Sequence, residues 1–390
     1  MAKEIKPGQE QGLHPHVVNG ADVAQFNHVL NCATSNQGTT FIMPYENDGL
    51  RELITLAEDV VNGTEPWFRQ SSEGRQPDIR LASTRLNRQL LHNAFISQVS
   101  RDLEYAPYIE LAVSEYAHHA ISFRHDWKPD ACLGTGERVW ELYNHYLETT
   151  RSEGVAISIK RCNDDWQRNA KENEKTLIRY INRISDRHDI IVVQMALTHA
   201  QSNFNNEQGY SIVEQLGAMY MNDLCCYRWG HPASKGDVVQ RVGFEEAHGD
   251  RNRLFANRSR KPRIFAASIG YVCSMQWSRV RGWFLNCTFL FDGNAESRHH
   301  AVLGDEIGQY WVNDVTGGRG DYRSGNRDGP MEYVVGMVER DDLGRRAALT
   351  RAIGFPLRVG RYVRVKHGGE GKLFTMGRMP PPENGVNQNV

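Results

Sequence analysis

Two long β-type runs, RIFAASIGYVCSMQW (263–277) and WFLNCTFLFDG (283–293), flank the short basic turn SRVRG. Aromatic and β-branched residues at this density, broken by a short turn, predict a hairpin of long central strands. A third run, IIVVQMAL at 190–197, has the branching and the length of a buried strand. Strands of this kind must be covered, and the sequence between and around them supplies helices.

LIRYINRISDRHD (177–189) places Leu177, Ile178, Ile181 and Ile184 on one helical face directly before the third run. Helical patterns are also read at Ser211–Leu224, about Gly236–His248, Ser297–Asp314 and Asp341 to about Ile353. EYVVGMVE (332–339) reads as a strand, and the glycine-rich TGGRGDYRSGNRDG (316–329) as a loop on the sheet edge. The order is helix, strand, helices, long hairpin, helix, strand, helix. It predicts an α+β sandwich whose mostly antiparallel sheet is covered by helices, the plan shared by HUH nickases, RRM domains and CRISPR RNA-processing proteins. Fold alone does not choose among them.

The first part of the chain has a different texture. Residues 1–37 read as a flexible arm and 38–160 as a mainly helical N-terminal region, with 175–380 holding the sheet and 381–390 a disordered tail. LRELITLAEDVV carries Leu50, Leu53, Ile54, Ala57, Val60 and Val61 at helical spacing, and further helices are read at Arg85–Val99, Ala106–Phe123 and Glu137–Glu153. EPWFRQSSEGRQPD (65–78) reads as a turn-rich break.

A net charge of −1 hides an asymmetry. Residues 1–150 carry 12 Lys and Arg against 20 Asp and Glu, whereas 251–281 carry eight basic residues and no acidic one. Residues 345–378 carry nine basic residues and one acid, Glu370. An acidic front and a basic back point to a polyanion partner for the back, and to a protein partner for the front. In RNRLFANRSRKPR, Arg251, Arg253, Arg258, Arg260, Lys261 and Arg263 interleave with Phe255, a composition suited to phosphates and stacked bases. Trp277 and Trp283, with Arg279 and Arg281, make a second stacking platform or else core packing. The partner expected is DNA or RNA, single-stranded or hairpin.

The seven cysteines are scattered without the C-x-x-C spacing of a zinc site and are expected as reduced thiols. No apolar run approaches membrane-spanning length and the start lacks a secretory core, so a cytoplasmic protein without a membrane partner is expected. No metal or cofactor is expected. His299-His300 and His118-His119 are adjacent pairs, a poor ligand geometry on a helix.

FLFDG at 289–293, IGQYW at 307–311 and TGGRG at 316–320 follow one another in order, together with GYV at 270–272, VVGMV at 334–338 and the closing RYVRVK and FTMGR segments. Over residues of about 175–380 this succession resembles the inovirus gene-II-type replication proteins, the YagK/YfjJ group of HUH replication initiators. The resemblance implies a metal held by a His-hydrophobic-His pair on a central strand and a tyrosine that attacks the DNA backbone. On this chain the histidine positions hold Phe284 and Asn286, the position of an assisting glutamate holds Gln276, and the tyrosine position holds Phe355, followed by Pro356 and Arg358. Phenylalanine neither ligates nor attacks, an amide is a weak neutral ligand, and Pro356 would disturb a continuing helix.

The expectation is therefore a catalytically silent sheet that holds nucleic acid through Arg358, Arg361, Arg364 and Lys366 along with the earlier basic residues. Two alternatives stay open: a nickase with relocated groups, for which Tyr362 is the displaced nucleophile, and a structural or adaptor subunit of a phage, plasmid or defence assembly.

Overall fold

The computed structural model of the 390-residue chain describes residues 32–34, 40–42, 49–64, 66–71, 78–81, 103–123, 132, 136–202, 242–278, 281–325 and 334–381. The expected helices at Arg85–Val99 and Ser211–Leu224 lie outside these residues, as do nearly all of the N-terminal arm and of the 381–390 tail.

The sheet forms where the sequence is most β-branched and aromatic. The predicted third run becomes a central strand, Ile190–His199, and the predicted hairpin becomes Ser268–Ser278 and Gly282–Asp292. Numbered along the chain, these are β6, β7 and β8, after two hairpins, Cys32–Thr34 with Thr40–Ile42 (β1, β2) and Phe68–Ser71 with Asp78–Leu81 (β3, β4), and the strand Leu103–Tyr105 (β5). β8 lies between β6 and β7, antiparallel to both. The other side of β6 pairs with two short strands in tandem, Gly320–Ser324 (β9) and Gly336–Val338 (β10), and the free side of β7 with Phe374–Met376 (β12). Every pairing in the sheet is antiparallel. The chain is α+β, as its element order predicts.

Strand alternation gives the sheet two unlike faces. On the first, Ile191, Val193, Met195 and Leu197 of β6 join Cys273 and Met275 of β7 and Leu285, Cys287, Phe289 and Phe291 of β8 in one buried cluster. Two helices cover it: Phe244–Ala256 and His300–Tyr310. In chain order the eight helices of the described residues are Gly49–Asn62 (α1), Pro107–His118 (α2), Val139–Ala156 (α3), Ile159–Ser185 (α4), Phe244–Ala256 (α5), the single turn Pro262–Phe265 (α6), His300–Tyr310 (α7) and Leu343–Val359 (α8). On the second face Ile190, Val192, Val272 and Leu290 meet Leu177, Tyr180, Ile181 and Ile184 of α4 and Leu349, Ile353 and Leu357 of α8.

The segments that carry the resemblance have packing reasons. Ile307 and Trp311 are fully buried, and the Trp311 indole donates to the Thr198 carbonyl at 2.9 Å. Gly308 brings α7 against the ring of Tyr322 on β9, which a Cβ there would overlap. Gly317 and Gly318 hold positive φ of 61° and 88°, which turn the chain from the helix into β9. At the end of β8, Asp292 accepts from His188 at 2.9 Å, and the Gly293 amide donates to the Asp189 carbonyl at 2.7 Å.

The N-terminal helices form a core of their own around Trp67, whose ring meets Tyr143 edge-on at 5.1 Å. The Asn144 amide accepts from the Trp67 and Phe68 backbone at 2.8 and 3.0 Å and donates to the Phe68 carbonyl at 2.9 Å, which fixes the β3 hairpin on α3. Phe355, Val359 and Val363 belong to this core, and Val363–Val365 (β11) pairs with β5. The interval 160–175 lies inside the 27-residue α4, which ties the two parts together.

Several elements differ from the sequence expectation. The break at 65–78 contains β3, which pairs with β4, because Trp67 and Phe68 are anchors of a core. The glycine-rich loop contains β9, a strand created by pairing with β6 and not by its own composition. Pro356 does not end α8, which continues to Val359; only its last turn follows the proline, so few helical hydrogen bonds are at stake. Of the helix expected at about Gly236–His248, positions 236–241 lie outside the described residues; a helix runs over Phe244–Ala256, eight residues past the expected end.

Replacing Gly308 with alanine should lower stability by about 1–3 kcal/mol, because the Tyr322 ring must leave its place between α7 and β9. Urea unfolding of the variant checks this, and a Gly317→Ala change should also destabilise through its left-handed backbone.

Candidate nucleic-acid interface

Beyond the apolar end covered by α4 and α8, the second face of the sheet turns polar. Gln194 and Thr198 of β6, Phe284, Asn286 and Thr288 of β8, and Ser274, Gln276 and Ser278 of β7 share it by strand alternation. Ser274, Asn286, Ala196 and Arg323 form one cross-strand row, and Gln276 stands opposite Phe284. The three strand positions at which the resemblance expects metal ligands therefore fall on one face, side by side. Their donor set is a phenyl ring and two neutral amides. Phe284 is buried with the Arg281 guanidinium 5.8 Å from its ring centre, and Asn286 is half-buried.

The polar side chains here satisfy one another in part. Gln194 donates to Thr288 at 3.3 Å and accepts from the Val334 amide at 2.9 Å, and the Gln276 amide nitrogen donates to Ser274 at 3.1 Å. A cavity of about 750 Å³ opens beside them, bounded by β7, β12, α4, the end of α8 and the segment that follows it. Gln276 and Phe355 both line it, while Phe284 and Asn286 stand outside its wall. The fourth position of the resemblance is thus brought to the same side of the sheet by α8, yet its ring belongs to the N-terminal core.

The basic residues divide between the two sides of the sheet. Those of 251–263 lie with the helices on the first face. Arg251 is buried, donates to the Lys372 carbonyl and meets His248 at 2.6 Å. Arg253 pairs with Asp250, Arg258 lies over Tyr271 at 4.2 Å, and Lys261 pairs with Asp314 at 2.7 Å. Phe255 stacks on Tyr271 at 4.0 Å, so its ring serves packing. Arg260 and Arg263 are exposed.

The later set lies near the cavity. Arg358 and Arg361 both reach Glu174 of α4, the first at 3.7 Å. Arg364 lies over the Trp166 ring at 4.0 Å and donates to the Gly360 carbonyl at 3.0 Å, while Lys366 and Lys372 are exposed. Arg279 lies outside the described residues. Trp277 and Trp283 are cross-strand partners; Trp283 is buried in the first-face core and Trp277 packs between it and the N-terminal core. Tyr362, the displaced-nucleophile candidate, packs against the N-terminal core with its carbonyl accepting from Ala106 at 2.7 Å.

One cluster of charged residues is not legible in the sequence. His199, the last residue of β6, contacts Asp250 of α5 at 2.8 Å, both side chains essentially inaccessible. Arg253 pairs with Asp250 from the same helix, and Arg319, from the TGGRG turn, lies 3.7 Å from it while pairing with Glu246. The carboxylate is thereby compensated in the interior, as a buried charge must be. Apart from Arg253, three residues on in the same helix, the partners lie 51 to 73 positions apart, so little that is local marks these residues beyond an acid, Asp250, in the middle of a helix. Burial, with Arg319 second, holds the His199 imidazole down to about 4, and burial with neighbouring His145 does the same for His119.

No protein-family model, curated protein or solved structure matches the chain. Among the described residues no helix is long and apolar enough to cross a membrane, and no three His, Cys, Asp or Glu side chains come together as a metal site.

The histidines set a pH dependence. An imidazole that titrates at about 4 when folded and near 6.5 when unfolded is protonated first in the unfolded chain. Stability should be level above pH 7 and fall as pH drops from about 6.5 towards 4, with His199 contributing about 2 kcal/mol or less at pH 5. Urea unfolding at pH 7 and pH 5 measures the loss, which should shrink in a His199→Gln variant and keep the share due to His119.

Proposed function

We propose that the chain is a nucleic-acid-binding protein of mobile-element origin, built on a catalytically silent sheet of the HUH replication-initiator kind. The reading is supported by the element order β6, α5, β7, β8, α7, β9, with β6 and β8 central and both helices on one face, an order compatible with the split β-α-β plan of HUH and RRM domains. The ordered FDG, IGQYW and TGGRG segments support the inovirus gene-II-type relationship.

The observation that carries the reading is the convergence of Gln276, Phe284 and Asn286 on one face of two neighbouring strands, β7 and β8. A working nickase of this type needs imidazoles and an acid there and a phenolic oxygen on the crossing helix, where this chain has Phe355. Losing ligands and nucleophile together removes metal-assisted strand cleavage, whereas holding phosphates needs only positive charge. We place the bound strand along the cavity edge, where Arg364 and the exposed Lys372 line the opening and the exposed Lys366 stands between the lining residues Val365 and His367. A single strand fits better than a duplex, because the recess beside β7 and β12 admits separate bases and not a helix about 20 Å wide.

Fluorescence anisotropy with labelled single-stranded DNA and RNA at 50 and 200 mM salt tests the reading. Affinity should fall with salt, with a slope of about −0.7 per phosphate neutralised, and a Lys366→Ala/Lys372→Ala variant should flatten that slope by roughly 1–1.5. Arg260→Ala/Arg263→Ala, on the other side of the sheet, should change it less. Absence of binding to any DNA or RNA form at low salt would remove the proposal.

A further inference from the structure

Gln276 is nine-tenths buried on the wall of the cavity, and one end of its amide has no partner. The nitrogen donates to Ser274 Oγ at 3.1 Å, which leaves Oε1 unpaired. Turning the amide over changes only which end is satisfied: the Ser274 hydroxyl would donate to the oxygen and the nitrogen would be left bare. Buried polar groups in native proteins are almost always paired; the Gln276 oxygen is closed off from solvent as it stands, and a turn of the side chain toward the cavity that the residue lines would give it a ligand atom as partner.

The surroundings restrict what that ligand is. Trp277, Phe355, Leu357 and Phe374 supply flat and apolar walls, and the volume of about 750 Å³ is that of a site for a compact organic molecule. Lys372 stands exposed at the rim; the acid on the α4 wall, Glu172, is already held by Lys175 at 2.8 Å. A planar group with a hydrogen-bond donor beside an acceptor, attached to a phosphate that stays at the rim, meets each of these demands. That is a nucleobase on its nucleotide. An amide side chain offers the matching acceptor and donor to a base edge, as Asn and Gln do in base recognition.

We infer that this cavity is a base pocket: one base, of a bound strand or of a free nucleotide, inserts between the sheet and α8 with its polar edge on Gln276. The inference rests on the nucleic-acid reading above for the strand as its source. It adds a particular reading residue and a site where none of the inovirus-type chemistry is needed.

The full chain is titrated with three probes: AMP, a labelled single strand, and the same strand with abasic sites throughout. Tryptophan fluorescence and anisotropy are the readouts. Wild type should bind the normal strand about 10- to 100-fold more tightly than the abasic one. A Gln276→Leu variant should lose most of that ratio while binding the abasic strand as wild type does. Gln276→Asn, which draws the amide back by one methylene, should lose part of it and serves if the leucine variant does not fold. AMP binding that depends on Gln276 without strand binding would support the pocket and assign it to free nucleotides, while removing the strand reading. Strand binding with no dependence on bases or on Gln276 would overturn the pocket and leave the strand reading intact. Binding of none of the three probes would overturn both.

Discussion

The ladder that joins β6, β8 and β7 fixes nearly everything else. Its register sets Cys273 against Cys287 and Gln276 against Phe284, and a slip of one residue would exchange the two faces of the whole hairpin. On one face that register gathers an unbroken apolar surface for α5 and α7. On the other it gathers an apolar half for α4 and α8 and a polar half, at one side of which the cavity opens between β7 and those helices. The candidate site is the consequence of this division, located where apolar cover stops and the amides begin.

The segments on which the family resemblance rests do not themselves carry chemistry. Ile307, Gly308 and Trp311 dock α7, the paired glycines 317 and 318 reverse the chain, and Arg319 finishes the charge pairing around Asp250. Such residues keep a fold in shape whether or not it cuts a phosphodiester. They are compatible with a chain that retains the scaffold and holds side chains unfit for catalysis on its working face.

Much of the sheet was legible in the sequence because its signal is local. Dense β-branched and aromatic runs gave β6, β7 and β8, and helical periodicity gave α1, α2, α3, the second half of α4, and α8. β9 was not legible, since GDYRS has no strand character apart from its partner, and Trp67 and Phe68 looked like part of a turn because their core lies more than 70 residues away at Tyr143 and Asn144. The basic runs were legible as composition and misleading as surface. Composition counts charges, but Arg251, Arg253 and Lys261 have internal partners, so their interleaving with Phe255 describes packing as much as a phosphate track. The sequence marks Gln276 only as standing where the resemblance expects a glutamate; the cavity beside it arises from α4, α8 and β12, elements far apart in the chain.

The claim at the centre of this account is that the polar, cavity-bearing face of the sheet receives nucleic acid. Photo-crosslinking of a single strand carrying 4-thiothymidine or 4-thiouridine, with the joined peptides identified by mass spectrometry, tests it most directly. Crosslinks should fall on residues 274–277 and 363–376, which wall the cavity. Crosslinks confined to 258–263, away from the cavity, would contradict it.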